Sequence, residues 1–308
     1  MIEIRGLMKK FGDLTAVNDL SFRIERGDAF GFVGPNGAGK TTTIRMLATL
    51  LPPDGGVATI NGYDVVEQPE GVRACIGYMP DFFGVYDDIK VWEYLDFFAS
   101  AYRVPSWKRP QLIRDVLELT DLGHKRDDYV DALSRGMKQR LCLAKTLVHD
   151  PEVLLLDEPA SGLDPRARIE IRELLQELVK MKKTILISSH ILPELAELCN
   201  KIGIIEAGKL VLAGSVKEIA ARLAGGLRLI IRTKDRLQEC CDFLGRQPEI
   251  TTVEMTEDCV ECIYQGAAGE QHTILTALVH AGFQVHSFSE ETTNLESLYM
   301  ELTRGVGT

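Results

Sequence analysis

The stretch that decides the fold of this chain is Gly34-Pro35-Asn36-Gly37-Ala38-Gly39-Lys40-Thr41. It fits the pattern G-x-x-x-x-G-K-[ST], in which glycines let the backbone curl so that its N–H groups point at phosphate oxygens. The apolar run Phe30–Val33 before it predicts a buried strand, and residues 42–48 after it predict the opening of a helix. The pattern therefore stands in the strand–loop–helix context that it requires, and it predicts a nucleoside triphosphate site.

Two side chains of this loop are expected to contact the nucleotide and its metal ion. Lys40 is expected to reach the β- and γ-phosphates, and the Thr41 hydroxyl is expected to ligate Mg²⁺. The predicted nucleotide-binding residues of this segment are Gly34, Pro35, Asn36, Gly37, Ala38, Gly39, Lys40, Thr41 and Thr42. The alternative is a glycine-rich turn that binds nothing, which is disfavoured because every fixed position of the pattern is present.

Length, composition and charge limit the number of domains, the partners and the location that can be expected. The chain has 308 residues, 45% of them hydrophobic, which is enough for one large domain and a smaller one. Its net charge of -10 argues against nucleic acid as the main partner. No apolar run approaches the roughly 18–20 residues that span a bilayer, and Met1–Arg5 lacks the apolar core of a signal peptide. The expected location is cytoplasmic, with any membrane association made through a partner.

The first two-thirds of the sequence alternates buried strands with helices. Val153–Leu156, Thr184–Ser188 and Ile202–Ile205 are continuous apolar runs, as in parallel strands covered on both faces. A segment from about residue 85 to 149 has apolar residues at helical spacing and predicts a helical subdomain. Residues 1–219 are therefore predicted to form an α/β domain with a parallel sheet core.

A composition shift at 220–226, rich in Ala and Gly, predicts a domain boundary. Beyond it, residues 227–308 are predicted to form a small ferredoxin-like α+β domain in the order βαββαβ. The predicted elements are Leu227–Arg232, Asp235–Leu244, Ile250–Met255, Cys259–Tyr264, Thr273–Ala281 and Phe283–Phe288, with a final helix from Thr293. Cys259 and Cys262 leave a metal site open as an alternative, but odd spacing on a strand favours reduced thiols on opposite faces.

Three polar residues follow predicted strands at the same edge of the sheet. Asp157 directly follows one strand, where it is placed to hold Mg²⁺, and the adjacent Glu158 is a candidate general base for the attacking water. His190 follows the next predicted strand, so it is expected near the γ-phosphate, since ligands bind at the carboxyl ends of parallel strands. The alternative for the acidic pair is two solvated surface carboxylates.

A second anion site is predicted at the start of another helix. Ser134 precedes the helix and is a good N-cap, which is the simpler interpretation. A Ser hydroxyl, the Gly136 N–H and the helix dipole would also attract phosphate.

Taken together, these motifs resemble the ATP-binding subunit of an ABC transporter over roughly residues 1–215. The matching positions are Phe11 as the adenine-stacking aromatic, 34–41 as the P-loop, Ser134–Gln139 as the signature, Asp157-Glu158 as the Walker B pair, 161–164 as the D-loop, and His190 as the switch histidine. The C-terminal domain is similar to the extension of the bacterial drug- and antibiotic-export branch.

The resemblance implies a homodimer in which two ATP molecules are sandwiched head to tail. Ser134 and Gly136 of one chain would close over ATP held by Lys40 of the other. Hydrolysis would separate the subunits and drive an integral membrane permease, to which this chain would bind at the inner face of the membrane, and the resemblance to the export branch implies an exporter. The alternatives are a soluble ABC ATPase acting on ribosomes or DNA, and a regulatory subunit with impaired hydrolysis; the presence of Glu158 and His190 argues against the second.

Two positions depart from the family pattern. Asp81 stands where the family usually has Gln, and we expect it to serve as a Mg²⁺ ligand that makes ATP binding more Mg²⁺-dependent. The alternative is that Asp81 faces solvent and the role is lost. In the signature, Arg135 replaces the usual Gly and Met137 the usual Gln, while Ser134 and Gly136 are kept.

Overall fold

The computed structural model describes residues 1–82, 84, 88–223, 227–256, 258–267 and 269–290, with only the backbone at 220–223. The chain divides into two compact units, Met1–Gly214 and Ser215–Thr308. The predicted boundary at 220–226 therefore falls later than the division of the structure, because a helix over Val216–Leu223 groups with the second unit.

The first unit contains ten strands and seven α-helices in its described part. The strands are β1 (Ile2–Phe11), β2 (Leu14–Ile24), β3 (Ala29–Val33), β4 (Gly55–Ile60), β5 (Tyr63–Asp64), β6 (Ile76–Met79), β7 (Val153–Asp157), β8 (Thr184–Ser189), β9 (Lys201–Glu206) and β10 (Lys209–Ser215). The helices are α1 (Lys40–Leu47), α2 (Pro69–Cys75), α3 (Val91–Ala101), α4 (Arg109–Leu119), α5 (Arg135–Leu147), α6 (Pro165–Lys180) and α7 (Leu192–Leu198).

A six-stranded sheet in the order β10-β9-β3-β8-β7-β6 forms the centre of this unit. The pairings that join β9, β3, β8, β7 and β6 are all parallel. Every residue of β3, β7 and β8 is buried, which explains their unbroken apolar sequence. The predicted parallel α/β core is confirmed, and the residues that follow β3, β7 and β8 lie along one edge.

A second, antiparallel sheet in the order β2-β1-β4-β5 is not predicted from the sequence. Its inward side chains, Ile2, Ile4 and Leu7 among them, join one core cluster with Ile44 and Leu47 of α1. This cluster anchors the helix that carries the phosphate loop.

The helical subdomain consists of α3, α4 and α5, within the range predicted for it. Tyr94 is fully buried there, whereas Phe97, Tyr102 and Phe82 are exposed. Phe83 and Tyr86 lie outside the described residues.

The second unit begins with α8 (Val216–Leu223) and continues as β11 (Leu227–Thr233), α9 (Leu237–Leu244), β12 (Ile250–Met255), β13 (Val260–Tyr264), α10 (His272–His280) and β14 (Val285–Glu290). Its strands form one antiparallel sheet in the order β12-β13-β11-β14. From β11 onward the element order is the βαββαβ order that the sequence predicts.

Several boundaries in this unit differ from prediction by one or two residues, and two of these differences have a local reason. Helix α9 begins at Leu237 because Arg236 has a left-handed backbone conformation, with φ of 60°. Strand β13 begins at Val260 because the Thr256 N–H donates to the Cys259 carbonyl across a turn. The helix predicted from Thr293 lies outside the described residues.

The described residues contain neither a membrane-spanning helix nor a cluster of metal-binding side chains. In the part of the chain that the structure describes, no helix has the length and apolarity needed to cross a bilayer. Within the same ranges, no cluster of three or more His, Cys, Asp or Glu side chains is arranged to hold a metal ion by itself. Cys259 and Cys262 are both buried in the second unit.

Candidate functional site

The loop between β3 and α1 requires its glycines. A Cβ on Gly34 would lie 2.4 Å from the Ile205 carbonyl oxygen, and one on Gly39 would lie 2.4 Å from that of Ala16. Gly39 also has φ of 105° and caps α1, a conformation that costs a side-chain-bearing residue energy. The loop is thus held close against the neighbouring backbone at both ends.

Lys40 turns back over this loop from the first position of α1. Its side chain is only 5% exposed, and Nζ donates to the carbonyl oxygens of Gly34 (2.7 Å) and Pro35 (3.2 Å). Nζ also lies 3.5 Å from Oε1 of Glu158. A positive charge therefore sits in the concave side of the loop, where phosphate oxygens would be received.

Asp157 is fully buried at the end of β7. The Ser188 hydroxyl donates to Oδ1 at 2.6 Å, whereas Oδ2 has no hydrogen-bond partner among the described residues. Burial raises the pKa of Asp157 above its ordinary value, the hydrogen bond from Ser188 lowers it in part, and the neighbouring carboxylates raise it further. A cation would relieve both the buried charge and the unpaired oxygen.

Glu158 has a strained backbone conformation, with φ of 49° in a residue that is not glycine. Its N–H donates to the Ser188 hydroxyl at 2.9 Å, and Oε2 lies 3.0 Å from Nδ1 of His190. The structure thus brings the predicted Lys40, Glu158 and His190 together at the carboxyl edge of the sheet.

Ser188 is a site residue that the sequence analysis did not single out. It stands opposite Asp157 in the register of β7 and β8, and it bonds both acidic residues of the pair. Its position in the sequence, two residues before His190 at the end of a predicted parallel strand, is the signal that could have indicated a role for Ser188 in the site.

Asp81 lies at the same edge, after β6, but in an exposed position. Its Oδ1 accepts the Phe82 N–H at 2.8 Å and lies 3.8 Å from a guanidinium nitrogen of Arg45. Its charge is close enough to contribute to the raised pKa of Asp157. The two carboxylates are therefore electrostatic neighbours.

Mg²⁺ fits the donor set at this edge, because hard cations prefer carboxylate and hydroxyl oxygen. The unpaired Oδ2 of Asp157 and the Thr41 hydroxyl are ligands of that kind. Since the described side chains do not form a three-residue metal cluster, a cation here would draw its remaining ligands from nucleotide phosphates and water.

The other predicted nucleotide contacts lie on separate elements. Phe11 ends β1 with 49% of its surface exposed, and Nζ of Lys9 lies 5.7 Å from its ring centroid. Ser134 caps α5, its hydroxyl accepting the Met137 N–H at 3.3 Å, which is the simpler role expected from the sequence. Gly136 packs against Ala167, where an added Cβ would come within 2.9 Å.

Comparison with known proteins identifies the family. The model of the ABC transporter family matches residues 17–161. The linearmycin resistance ATP-binding protein LnrL of Bacillus subtilis is 31% identical over 308 residues, which cover 98% of each chain. The chain belongs to the ABC transporter family. This ABC ATPase is also 41% identical to the Nod factor export ATP-binding protein I of Burkholderia lata, over 70% of each chain.

Solved structures show the same cassette fold. The dimeric ATP-binding cassette MJ0796, in a post-hydrolysis state bound to ADP and Pi, superposes with a TM-score of 0.63. The match covers 70% of this ABC ATPase and 99% of that chain at 21% identity, so it bears on the fold alone. Family and fold together make this chain an ATP-binding and ATP-hydrolysing cassette.

Proposed function

We propose that this ABC ATPase powers export of a compound through an integral membrane permease, as a peripheral subunit on the cytoplasmic face. The observation that carries the catalytic part is the convergence of Lys40, Glu158 and His190 at the end of the parallel sheet. The relatives that are named for linearmycin resistance and Nod factor export support the export part.

In the proposed reaction, the loop N–H groups and Lys40 bind and orient the phosphates of ATP. Glu158 accepts the proton of the attacking water. His190 orients the Glu158 carboxylate through the 3.0 Å contact between Nδ1 and Oε2. The strained backbone at Glu158 fixes the direction in which that carboxylate projects.

Mg²⁺ would be held by Thr41 and Asp157, with Asp81 as the additional carboxylate. When bound, the cation neutralises phosphate charge that develops during transfer. Ser188 keeps Asp157 oriented for this task, because its hydroxyl donates to one carboxylate oxygen and leaves the other free.

The complete ATP site is proposed to need two copies of the chain. Ser134 and Gly136 begin helix α5, whose N-terminal end attracts anions, and we place them over ATP that a second copy holds through Lys40. Phe11 would stack on the adenine. The dimer of a cassette with the same fold supports this arrangement.

The alternative of a soluble ABC ATPase acting on ribosomes or DNA has less support. The relatives that match most of this chain are named for export or resistance, and the net charge of -10 opposes binding to nucleic acid.

Asp81→Ala tests whether Asp81, which stands where the family usually has Gln, is a Mg²⁺ ligand. We expect the Mg²⁺ concentration for half-maximal ATPase activity to rise about threefold or more, because one hard ligand is lost. We also expect ATP to bind more tightly in EDTA, since a repelling charge is gone. Asp88→Ala, another exposed carboxylate nearby, is the control. An unchanged Mg²⁺ dependence in Asp81→Ala would refute the metal role.

Cell fractionation tests the proposed membrane partner. The tagged full chain, expressed in its own cells, should sediment with membranes, resist nuclease treatment and co-purify in detergent with a protein of several transmembrane helices. Recovery with ribosomes or DNA, and release by nuclease, would instead support the soluble alternative.

A further inference from the structure

Gln139, in the second turn of α5, is a buried polar side chain that the proposed chemistry does not use. It is 2% exposed, and its Nε2 donates to the carbonyl oxygen of Pro159. Pro159 directly follows Glu158, so this bond fixes the Pro159–Ala160 peptide, one residue beyond the proposed catalytic base. Buried polar groups in native proteins are nearly always bonded, and the bond orients both of its partners.

The same part of α5 makes two further contacts with the segment that follows β7. A Cβ on Gly136 would lie 2.9 Å from that of Ala167, and a Cβ on Gly162 would lie 2.2 Å from a guanidinium nitrogen of Arg135. Arg135 therefore lies directly against Gly162, and Gly136 against the first turn of α6. The beginning of α5 and residues 158–167 are in contact at three points.

Glu158 needs such support because its left-handed backbone conformation is costly for a non-glycine residue. Ser188 holds it from the strand side by accepting its N–H. Gln139 holds the Pro159–Ala160 peptide from the helix side. Since residues 134–139 are the segment that we place over the ATP of a second chain, Gln139 joins that segment to the base of its own chain.

We propose that Gln139 is a positioning residue that acts through the Pro159 carbonyl on Glu158, so that closure of α5 over ATP on one chain orients the base of the other site. This inference rests on the proposed function. Its consequence is that each chain's Glu158 becomes fully active only when that chain's signature segment is engaged.

The first test is Gln139→Met in the full chain, which keeps the length of the side chain and removes the donor. We expect kcat to fall about tenfold, because small misplacements of catalytic groups are costly, while KM for ATP stays within about twofold. Gln111→Met, at an exposed position of α4, is the matched control and should leave both values unchanged. If Gln139→Met does not fold, Gln139→Glu removes the same donor at neutral pH.

Mixed dimers separate positioning from a general effect on the signature segment. When a Gln139→Met chain is paired with a Glu158→Gln chain, the one remaining Glu158 belongs to the Gln139→Met chain. Activity should then fall about tenfold relative to a wild-type chain paired with a Glu158→Gln chain. When one chain carries both changes and the other is wild type, the remaining Glu158 keeps its own Gln139. Activity should then equal that of a wild-type chain paired with a Glu158→Gln chain.

The outcomes distinguish failure of the positioning role of Gln139 from failure of the proposed function. Loss of activity in the second mixed dimer, or unchanged kcat in both Gln139 variants, would overturn the positioning role. A wild-type chain that neither hydrolyses ATP nor pairs in its presence would instead overturn the proposed function itself.

Discussion

Glu158→Gln is expected to lower kcat for ATP hydrolysis by about 10²–10⁴-fold, the range for loss of a positioned general base. The amide has nearly the shape of the carboxylate but cannot accept the proton of the attacking water. ATP binding should persist, because Lys40 and the loop N–H groups are untouched. The measurement is steady-state phosphate release, compared with ATP affinity under the same conditions.

The control for this variant is Glu177→Gln, an exposed carboxylate on α6 that pairs with Lys180. It should leave kcat unchanged, since exposed ion pairs contribute little to stability. Turnover that survives in Glu158→Gln would mean that another group activates the water.

Lys40→Met is expected to weaken ATP binding by about 10–100-fold, equivalent to the loss of one strong charge-assisted interaction. Methionine fills the nearly buried space of the Lys40 side chain but supplies no charge to the phosphates. Hydrolysis should be lost together with affinity. Titration calorimetry with a non-hydrolysable ATP analogue measures the effect directly.

Lys180→Met provides the matched control, because Lys180 is an exposed lysine at the end of α6. It should bind the analogue with unchanged affinity and unfold at the same temperature as the wild type. Equal affinity in Lys40→Met and wild type would show that the 34–41 loop does not hold the phosphates through this charge.

The parallel core could be predicted because its strands carry a strong local signal. β3, β7 and β8 are buried at every position, so their sequences are continuous apolar runs. Once these strands were placed, the rule that parallel strands share a carboxyl edge predicted which residues converge. That rule predicts that Asp157 and His190 lie near the phosphate loop, whereas Lys40 is predicted by the loop pattern itself.

The antiparallel sheet escaped prediction for a physical reason. The pairing of β1 with β2 contains register shifts after Ile4, Leu7 and Lys9, and each shift interrupts the alternation of inward and outward residues. A period of two residues is the main sequence signal of such strands, so its interruption hides them.

The contacts of Ser188 and Gln139 also could not be predicted, since they join residues that are distant in sequence. Ser188 bonds Asp157 across 31 positions, and Gln139 bonds Pro159 across 20. Both depend on how strands and helices pack, which local patterns do not encode. The division of the chain at Ser215 likewise depends on packing, because α8 groups with the second unit.

We propose that residues 34–41 form half of an ATP site and that Ser134 and Gly136 of a second copy supply the rest. This arrangement is tested by the molar mass of the Glu158→Gln variant in light scattering, with and without Mg-ATP. We expect a monomer without nucleotide and a dimer holding two ATP molecules with it. A variant that binds ATP to saturation and remains monomeric would show that the second copy does not complete the site.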